Sequence, residues 1–345
     1  MSDIHIRKAG RAGRITLQRP QALNALTAPM IPAISAALTN WAADDTIDLV
    51  ILDAEGDKAF CAGGDIADLY AAGKRQDYAF GQKFWADEYR LNAQIAEFPK
   101  PTVSFLQGFT MGGGVGLGCH CTYRIVGETS QIAMPECGIG LIPDVGGSLI
   151  LAQAPGRIGE YLGLTAARMN AADAIFAGFA DHYLPETTWQ PLKHSMIETG
   201  TITLPDHQAP PGTLQTDQPD IDATFAQATL GDIFAQLDSV DTPFAAKTRK
   251  ALLRASPLSM ACALELLNRV RKTPTIRAAL TEEYRFTARA SEHGDFIEGI
   301  RAAIIDKDRA PKWRHGPTSV TAQDVAFMMA PLGASDLNWR ETDKD

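Results

Sequence analysis

Apolar positions follow two different periodicities through the first half of the chain, one typical of strands and one typical of helices. Short apolar runs, typical of strands, cover residues 14–18, 49–54, 102–107 and 123–126. Apolar residues at helical spacing cover residues 27–43 and 77–98, with Thr27 as the predicted N-cap of the first helix. A turn-rich loop, residues 55–65, follows the second strand. Since strands and helices alternate to about residue 185, the pattern predicts an α/β architecture.

The pattern changes after residue 185. Residues 185–219 are rich in Pro, Asp, Gln and Thr and show little periodicity, which predicts a connecting segment. Helical spacing returns beyond it, and Ser256 followed by Pro257 is a typical helix start. The predicted helices cover residues 221–237, 256–270, 274–290 and 295–305. The predicted domains are an α/β core (1–200), a Pro-rich connector with a first helix (201–240) and a helical C-terminal region (241–345).

Composition narrows the class of protein. At 345 residues and 45% hydrophobic, the chain is long enough for a large core. A net charge of −9 argues against general nucleic-acid binding, and no apolar run has the length of a membrane span. The polar start is not typical of a signal peptide, and five cysteines without CxxC or zinc-ligand spacing indicate reduced thiols. We therefore expect a cytoplasmic protein that does not bind a membrane.

Two glycine-rich segments are candidates for backbone-mediated binding. Residues 59–65 (AFCAGGD) follow a predicted buried strand, and residues 112–118 (GGGVGLG) follow another at a predicted helix start. Bare amides at Gly64 and Gly113 would suit the two donors of an oxyanion hole. The alternative is that these glycines only form tight turns. The dinucleotide pattern GxGxxG fails in every register of residues 112–118.

Glu136 and Asp144 are candidate catalytic groups, and these two and two further polar residues each have a simpler structural interpretation. Glu136 follows Met134-Pro135 and would otherwise be an exposed loop residue. Asp144 is as well suited to capping the helix that residues 145–150 open as to catalysis. Glu88 lies on a predicted helix, where a solvated charge is ordinary, and His120 is more often structural. From these residues alone we predict acyl-transfer or carbonyl chemistry at a two-carboxylate site.

Residues 60–65 (FCAGGD), 111–114 (MGGG) and 135–147 (PECGIGLIPDVGG) resemble the crotonase (enoyl-CoA hydratase/isomerase) superfamily. More narrowly, the chain resembles the 3-hydroxyisobutyryl-CoA hydrolase branch. Hydratases of the superfamily carry a Glu at the position of Gly116 and a small residue at that of Asp144, so this sequence fits the hydrolases better. Further matching segments are residues 19–26, 283–285, 295–302 and 305–313.

The resemblance implies a crotonase-like spiral of ββα units with a helical C-terminal region, and an acyl-CoA substrate. The thioester oxygen would lie between the amides of Gly64 and Gly113. Glu136 would attack the thioester carbonyl to give a mixed anhydride, or would activate water. Asp144 would orient Glu136, water or the substrate hydroxyl, and Glu88 would contact the substrate near its acyl group. No metal or redox cofactor is implied, since coenzyme A is part of the substrate.

The first-choice substrate is 3-hydroxyisobutyryl-CoA, an intermediate of valine degradation. Two alternatives stay open: a hydratase or isomerase that works with Glu136 alone, and a non-catalytic CoA-binding paralogue. A homo-oligomer is compatible with the resemblance but is not fixed by it. The basic residues that would hold the CoA phosphates are not evident, because Ile66 and Ala67 stand where the superfamily often has Lys or Arg.

Overall fold

Nine strands and fifteen α-helices make up residues 3–339, the part of the chain that the computed structural model describes. The strands are β1 (Ile4–Ala9), β2 (Ala12–Leu17), β3 (Leu49–Ala54), β4 (Ala59–Cys61), β5 (Thr102–Phe105), β6 (Phe109–Met111), β7 (Tyr123–Val126), β8 (Gln131–Ala133) and β9 (His182–Tyr183). The first helices are α1 (Met30–Ala42), α2 (Ala67–Lys74), α3 (Tyr78–Ala96), α4 (Gly113–Gly118), α5 (Gly147–Gln153), α6 (Ile158–Thr165), α7 (Ala171–Phe176) and α8 (Trp189–Thr199). They are followed by α9 (Leu214–Phe225), α10 (Leu230–Asp238), α11 (Pro243–Leu252), α12 (Pro257–Lys272), α13 (Ile276–His293), α14 (Phe296–Ile300) and α15 (Ala322–Met328).

The chain divides into two compact units that are interleaved in sequence. The first holds the described residues up to Asp65, Asp87–Ala133 and Arg168–Thr213, and the second holds Ile66–Ala86, Met134–Ala167 and the described residues from Leu214. The sequence predicted consecutive domains instead. The difference arises because α5 and α6 pack against the C-terminal helix α12, although they lie about a hundred residues before it.

All nine strands belong to the first unit, where they form two sheets. The larger sheet has the order β1-β2-β3-β5-β7-β9, antiparallel only between β1 and β2, and the smaller sheet is parallel with the order β4-β6-β8. Successive strand pairs (β3 and β4, β5 and β6, β7 and β8) each supply one strand to either sheet. A helix follows each of the first two of these pairs, so the chain repeats a ββα order, which confirms the prediction made from the resemblance.

The core of the first unit lies between the large sheet and α8. Apolar side chains of four neighbouring strands meet Trp189 and Met196 of this helix, and the rings of Phe105 and Trp189 lie 5.4 Å apart. Helix α8 lies inside residues 185–219, which the sequence predicted to be a connector, so that prediction was wrong there. Helix α9 also begins inside this segment, at Leu214. Both helices were missed because their sequences are polar and contain proline. Only a few of their residues face the core, so the apolar spacing typical of a helix is weak.

Some of the other local predictions are confirmed by the structure and others are wrong. Strands β3 and β7 have the predicted bounds, whereas the short strand β4 lies in the predicted loop. Thr27 is not an N-cap, because α1 begins three residues later, after Pro29. Ser256 is one, since its side chain accepts a hydrogen bond of 3.2 Å from the amide of Ser259. Across residues 3–339, no helix is both long and apolar enough to cross a bilayer.

The predicted C-terminal helices are found in the second unit with modest changes. The predicted helix over residues 221–237 is two helices, α9 and α10, and Thr229 caps the second by accepting the amide of Asp232 at 3.2 Å. The one predicted over residues 295–305 is α14 followed by a π-helical turn, Arg301–Ile305.

Candidate active site

In the loop after β4, the backbone N–H of Gly64 points away from the chain segment that contains Leu26. Leu26 donates its N–H to the carbonyl of Gly63 at 2.9 Å and accepts the N–H of Asp65 at 2.8 Å, which makes Leu26 and Gly64 a parallel bridge pair. In this pattern the N–H and C=O of the middle residue point to the opposite side. The amide of Gly64 is therefore directed away from Leu26.

Gly113 lies next to this amide, at the start of α4. A Cβ atom built on Gly113 would lie 3.2 Å from the nitrogen of Gly64 and 2.8 Å from Oε1 of Glu88. Only glycine leaves this space open. The first amides of a helix have no carbonyl partner within the helix, and they lie at the positive end of its dipole. The structure thus brings Gly64, Gly113 and Glu88 together in the first unit, as an oxyanion hole beside a carboxyl group would require.

Glu88 is buried rather than solvated. Its side chain, on α3, is 3% exposed, so the interpretation as an ordinary surface charge is wrong. A carboxyl group taken out of water at this cost is typical of functional sites. Cys61 lies near enough to be affected: burial first of all, and the charge of Glu88 to a smaller extent, help to raise the pKa of its thiol to about 12.

Glu136 is held at the start of a short helical turn in the second unit. Pro135 precedes a 3-10 helix, Glu136–Ile139, and the backbone carbonyl of Glu136 accepts the amide of Leu141 at 3.0 Å. The turn closes at Gly140, whose φ of 76° and close contact with the backbone of Asp295 exclude a side chain. Glu136 is 5% exposed, so it is not an exposed loop residue.

Asp144 follows eight residues later and is 4% exposed. The N-cap of α5 is Gly146, so the interpretation of Asp144 as a helix cap is wrong. Its backbone carbonyl accepts the amide of Gly147 at 2.7 Å, which closes the turn before the helix. Glu136 and Asp144 are therefore two buried carboxyl groups on one short segment of the second unit.

Glu283 accepts hydrogen bonds from the backbone amides at the start of α5. Sequence reasoning did not place this residue at the site. The amide of Gly146 donates to its Oε2 at 2.9 Å, and the amide of Ser148 donates to its Oε1 at 3.2 Å. The hydroxyl of Ser148 bonds to the same Oε1. Glu283 belongs to the matching segment 283–285, which was the available signal, but nothing in its local sequence points to a partner 137 residues away.

The cysteines do not offer a thiolate nucleophile. All five are buried and free of disulfides. Burial raises the pKa of Cys119 and of Cys121 to about 12, and burial together with the charge of Glu136 raises that of Cys137 well above its usual range. Within residues 3–339 no three His, Cys, Asp or Glu side chains are grouped to hold a metal ion. His120 is half-buried just after α4.

The chain is similar in sequence to one family of enzymes. The family model described as enoyl-CoA hydratase/isomerase matches residues 12–329. The 3-hydroxyisobutyryl-CoA hydrolase, mitochondrial, of Danio rerio is 36% identical over 351 residues, which are 97% of this chain and 91% of the relative. The protein of the same name from Homo sapiens is 34% identical over 98% of this chain and 91% of its own length.

Solved structures carry different names. A crystal structure of an enoyl-CoA hydratase from Rhodobacter sphaeroides 2.4.1 matches with a TM-score of 0.96 and 60% identity, covering 98% of this chain and 100% of that one. A carnitinyl-CoA dehydratase from Mycobacterium thermoresistibile matches with a TM-score of 0.93 and 37% identity, covering 98% and 99%. These relatives share a fold and differ in the reaction that their names state.

Proposed function

Since the chain belongs to the enoyl-CoA hydratase/isomerase (crotonase) family and has the crotonase fold, we propose that it hydrolyses the thioester of a short 3-hydroxyacyl-CoA. 3-Hydroxyisobutyryl-CoA is the first candidate, which would place the reaction in valine degradation. The observation that carries the proposal is the pair of buried carboxyl groups, Glu136 and Asp144, on one segment. The position at which hydratases of the superfamily carry a second Glu is Gly116, inside α4.

The amides of Gly64 and Gly113 are proposed to bind the thioester oxygen. This oxygen gains negative charge when a nucleophile adds to the carbonyl carbon. Fixed backbone N–H groups stabilise that charge without reorganising, and one such donor contributes roughly 3 kcal/mol to transition-state stabilisation. Their close approach, with room for no side chain at Gly113, supports this assignment.

Glu136 is proposed as the nucleophile. A carboxylate oxygen forms a bond to the carbonyl carbon, the C–S bond breaks, and the coenzyme A thiolate leaves with the electron pair and is protonated by solvent. The product is a mixed anhydride, which water then hydrolyses to release the 3-hydroxy acid and restore the carboxylate. Asp144 is proposed to orient Glu136, the water or the substrate hydroxyl. If Glu136 instead activates water directly, no anhydride forms.

The decisive experiment is a thiol-release assay over a panel of short 3-hydroxyacyl-CoA thioesters. We expect wild type to release free coenzyme A, Glu136→Ala to abolish release, and Asp144→Asn to reduce it about 10²–10³-fold. Glu292→Gln, an exposed carboxyl group on α13, is the control and should match wild type. Hydroxylamine added during turnover should convert Glu136 to a hydroxamate by the anhydride route, and should leave it unmodified if Glu136 acts as a base.

A hydratase is the second candidate, because the 60%-identical structure carries that name. Crotonyl-CoA separates the two reactions. Hydration of its double bond with every thioester left intact would refute the hydrolase proposal, and binding of the panel without any turnover would favour a non-catalytic paralogue. The cytoplasmic location and the oligomeric state stay predictions; the curated relatives named above are described as mitochondrial.

A further inference from the structure

The turn that carries Asp144 contains a strained residue. Val145 has a φ of 55°, in the left-handed region that a β-branched side chain rarely adopts, and Gly146 follows with a φ of 77°. Val145 is buried, so its side chain has packing that it would lose if the backbone relaxed. A left-handed valine persists only where its surroundings impose the conformation.

The carboxyl of Glu283, which is fully buried on α13, lies against this turn. Its two oxygens bind amides on either side of Gly147, those of Gly146 and Ser148, and one oxygen also binds the Ser148 hydroxyl. Three bonds from a single turn to one planar group fix the orientation of that turn as well as its position. If Val145 returned to an extended conformation, the amide of Gly146 would turn away from Glu283.

Asp144 is tied to the same turn. Its carbonyl accepts the amide of Gly147, which lies between the two residues that Glu283 holds. The negative charge of Asp144 also acts on Glu283, where it adds to the effect of burial. The side chain of Asp144 therefore leaves the backbone in a direction that depends on the conformation of Val145 and Gly146.

We propose that Glu283 is a positioning residue: its carboxyl group holds the left-handed turn at Val145 and Gly146 and thereby fixes the direction of the Asp144 side chain. The inference rests on the role proposed above for Asp144. Glu283 touches no reacting atom in this proposal. Its effect on the reaction passes through Asp144, which makes the two residues energetically coupled.

The test is a double-mutant cycle between Glu283→Gln and Asp144→Asn. The glutamine keeps the shape of the side chain but presents an NH₂ group to one of the amide donors. We expect Glu283→Gln to lower kcat about 10- to 100-fold with KM changed by less than about threefold, as a misdirected side chain would. In the Asp144→Asn background the same substitution should lower kcat by less than about threefold more.

Two control variants distinguish a loss of Asp144 positioning from a general disruption of the fold. Glu282→Gln changes the neighbouring residue, which pairs with Arg269 and Arg285 instead, and should leave kcat unchanged. If Glu283→Gln does not fold, Ser148→Ala removes one of the three bonds, and about a threefold to tenfold loss of kcat, again absent in the Asp144→Asn background, is expected. Equal losses in both backgrounds, or an unchanged kcat, would overturn the proposal.

A crystal structure of Glu283→Gln, or of Ser148→Ala if the first variant does not fold, tests the inference without any assay. We expect Val145 to leave the left-handed region or the Asp144 carboxyl group to move. An unchanged turn and an unmoved Asp144 would refute the positioning role even in an active enzyme. Failure of wild type to release thiol from any thioester would instead refute the proposed function, and this structural result would still decide the inference.

Discussion

At the scale of single residues, the candidate oxyanion hole depends on the absence of a Cβ atom at position 113. Because Gly113 has no Cβ atom, the amide of Gly64 and the carboxyl of Glu88 can approach it more closely than a side chain would allow. The requirement is steric rather than conformational, because the φ of Gly113 is not among the positive values of the chain. An alanine therefore fits the backbone and obstructs only the space in front of it.

Gly113→Ala keeps its own backbone N–H, but the added Cβ atom crowds the amide of Gly64 and the carboxyl of Glu88. We therefore expect kcat to fall about 10²–10³-fold, as it does when one oxyanion donor is lost. The measurement is thiol release together with a melting curve. Gly231→Ala, on α10, is the matched control, since its added Cβ atom would meet only the Thr229 hydroxyl, at 3.8 Å. Full activity in Gly113→Ala would mean that the space in front of the Gly64 amide does not serve the reaction.

At the scale of secondary structure, α8 is joined to the large sheet by a buried ion pair. Lys193 of this helix donates to Asp53 of β3 at 2.9 Å, and Asp53 also accepts from Arg14 and Thr16 of β2 at 2.6 and 2.7 Å. Burial alone would raise the pKa of Asp53, but the charges of Lys193 and Arg14 outweigh it and hold the pKa below its usual value. The helix that sequence pattern missed is thus anchored by charge as well as by Trp189.

Asp53→Asn should destabilise the protein by about 3–5 kcal/mol, because it leaves the ammonium of Lys193 buried without its counter-ion. Urea unfolding of both proteins measures the difference. The exposed pair of Asp48 and Arg11 provides the comparison, and Asp48→Asn should have a much smaller effect, because solvent screens an exposed ion pair. Equal effects of the two substitutions would show that the buried pair does not anchor α8.

At the scale of the whole molecule, stability should depend on pH through Glu283. Burial raises the pKa of Glu283 to about 8, and the negative charge of Asp144 adds to this effect. The hydrogen bonds from Ser148 and Gly146 act in the opposite direction but are outweighed. The unfolded chain releases this proton near pH 4.5, whereas the folded protein keeps it until about pH 8. Between these values the folded state binds more protons, so stability falls as pH rises.

The free energy of unfolding of wild type, relative to that of Glu283→Gln, should therefore decrease by a few kcal/mol from about pH 5 to about pH 8. The comparison between variants removes the contributions of other groups, including that of Asp53, whose stabilising effect is lost only as pH falls below about 4. Urea unfolding at several pH values supplies the data. A constant difference over this interval would contradict a raised pKa at Glu283.

Features that reside in short stretches of chain could be predicted from the sequence. Strands β3 and β7, the cap at Ser256, the α/β class and the family resemblance all follow from neighbouring residues, because propensity, capping and loop chemistry act over a few positions. The five candidate site residues came from such stretches too, and the structure buries all three of their carboxyl groups.

Which polar groups are buried, and which charges or hydrogen-bond partners offset the cost of burying them, depends on contacts that form only in the folded protein. Asp53 meets Lys193 across 140 positions, and Glu283 meets the Asp144 turn across 137. Local sequence cannot show such pairs, because the cost of burying a charge depends on groups that only folding brings near. The same reason explains why α8 looked like a connector and why Glu88 looked like a surface charge.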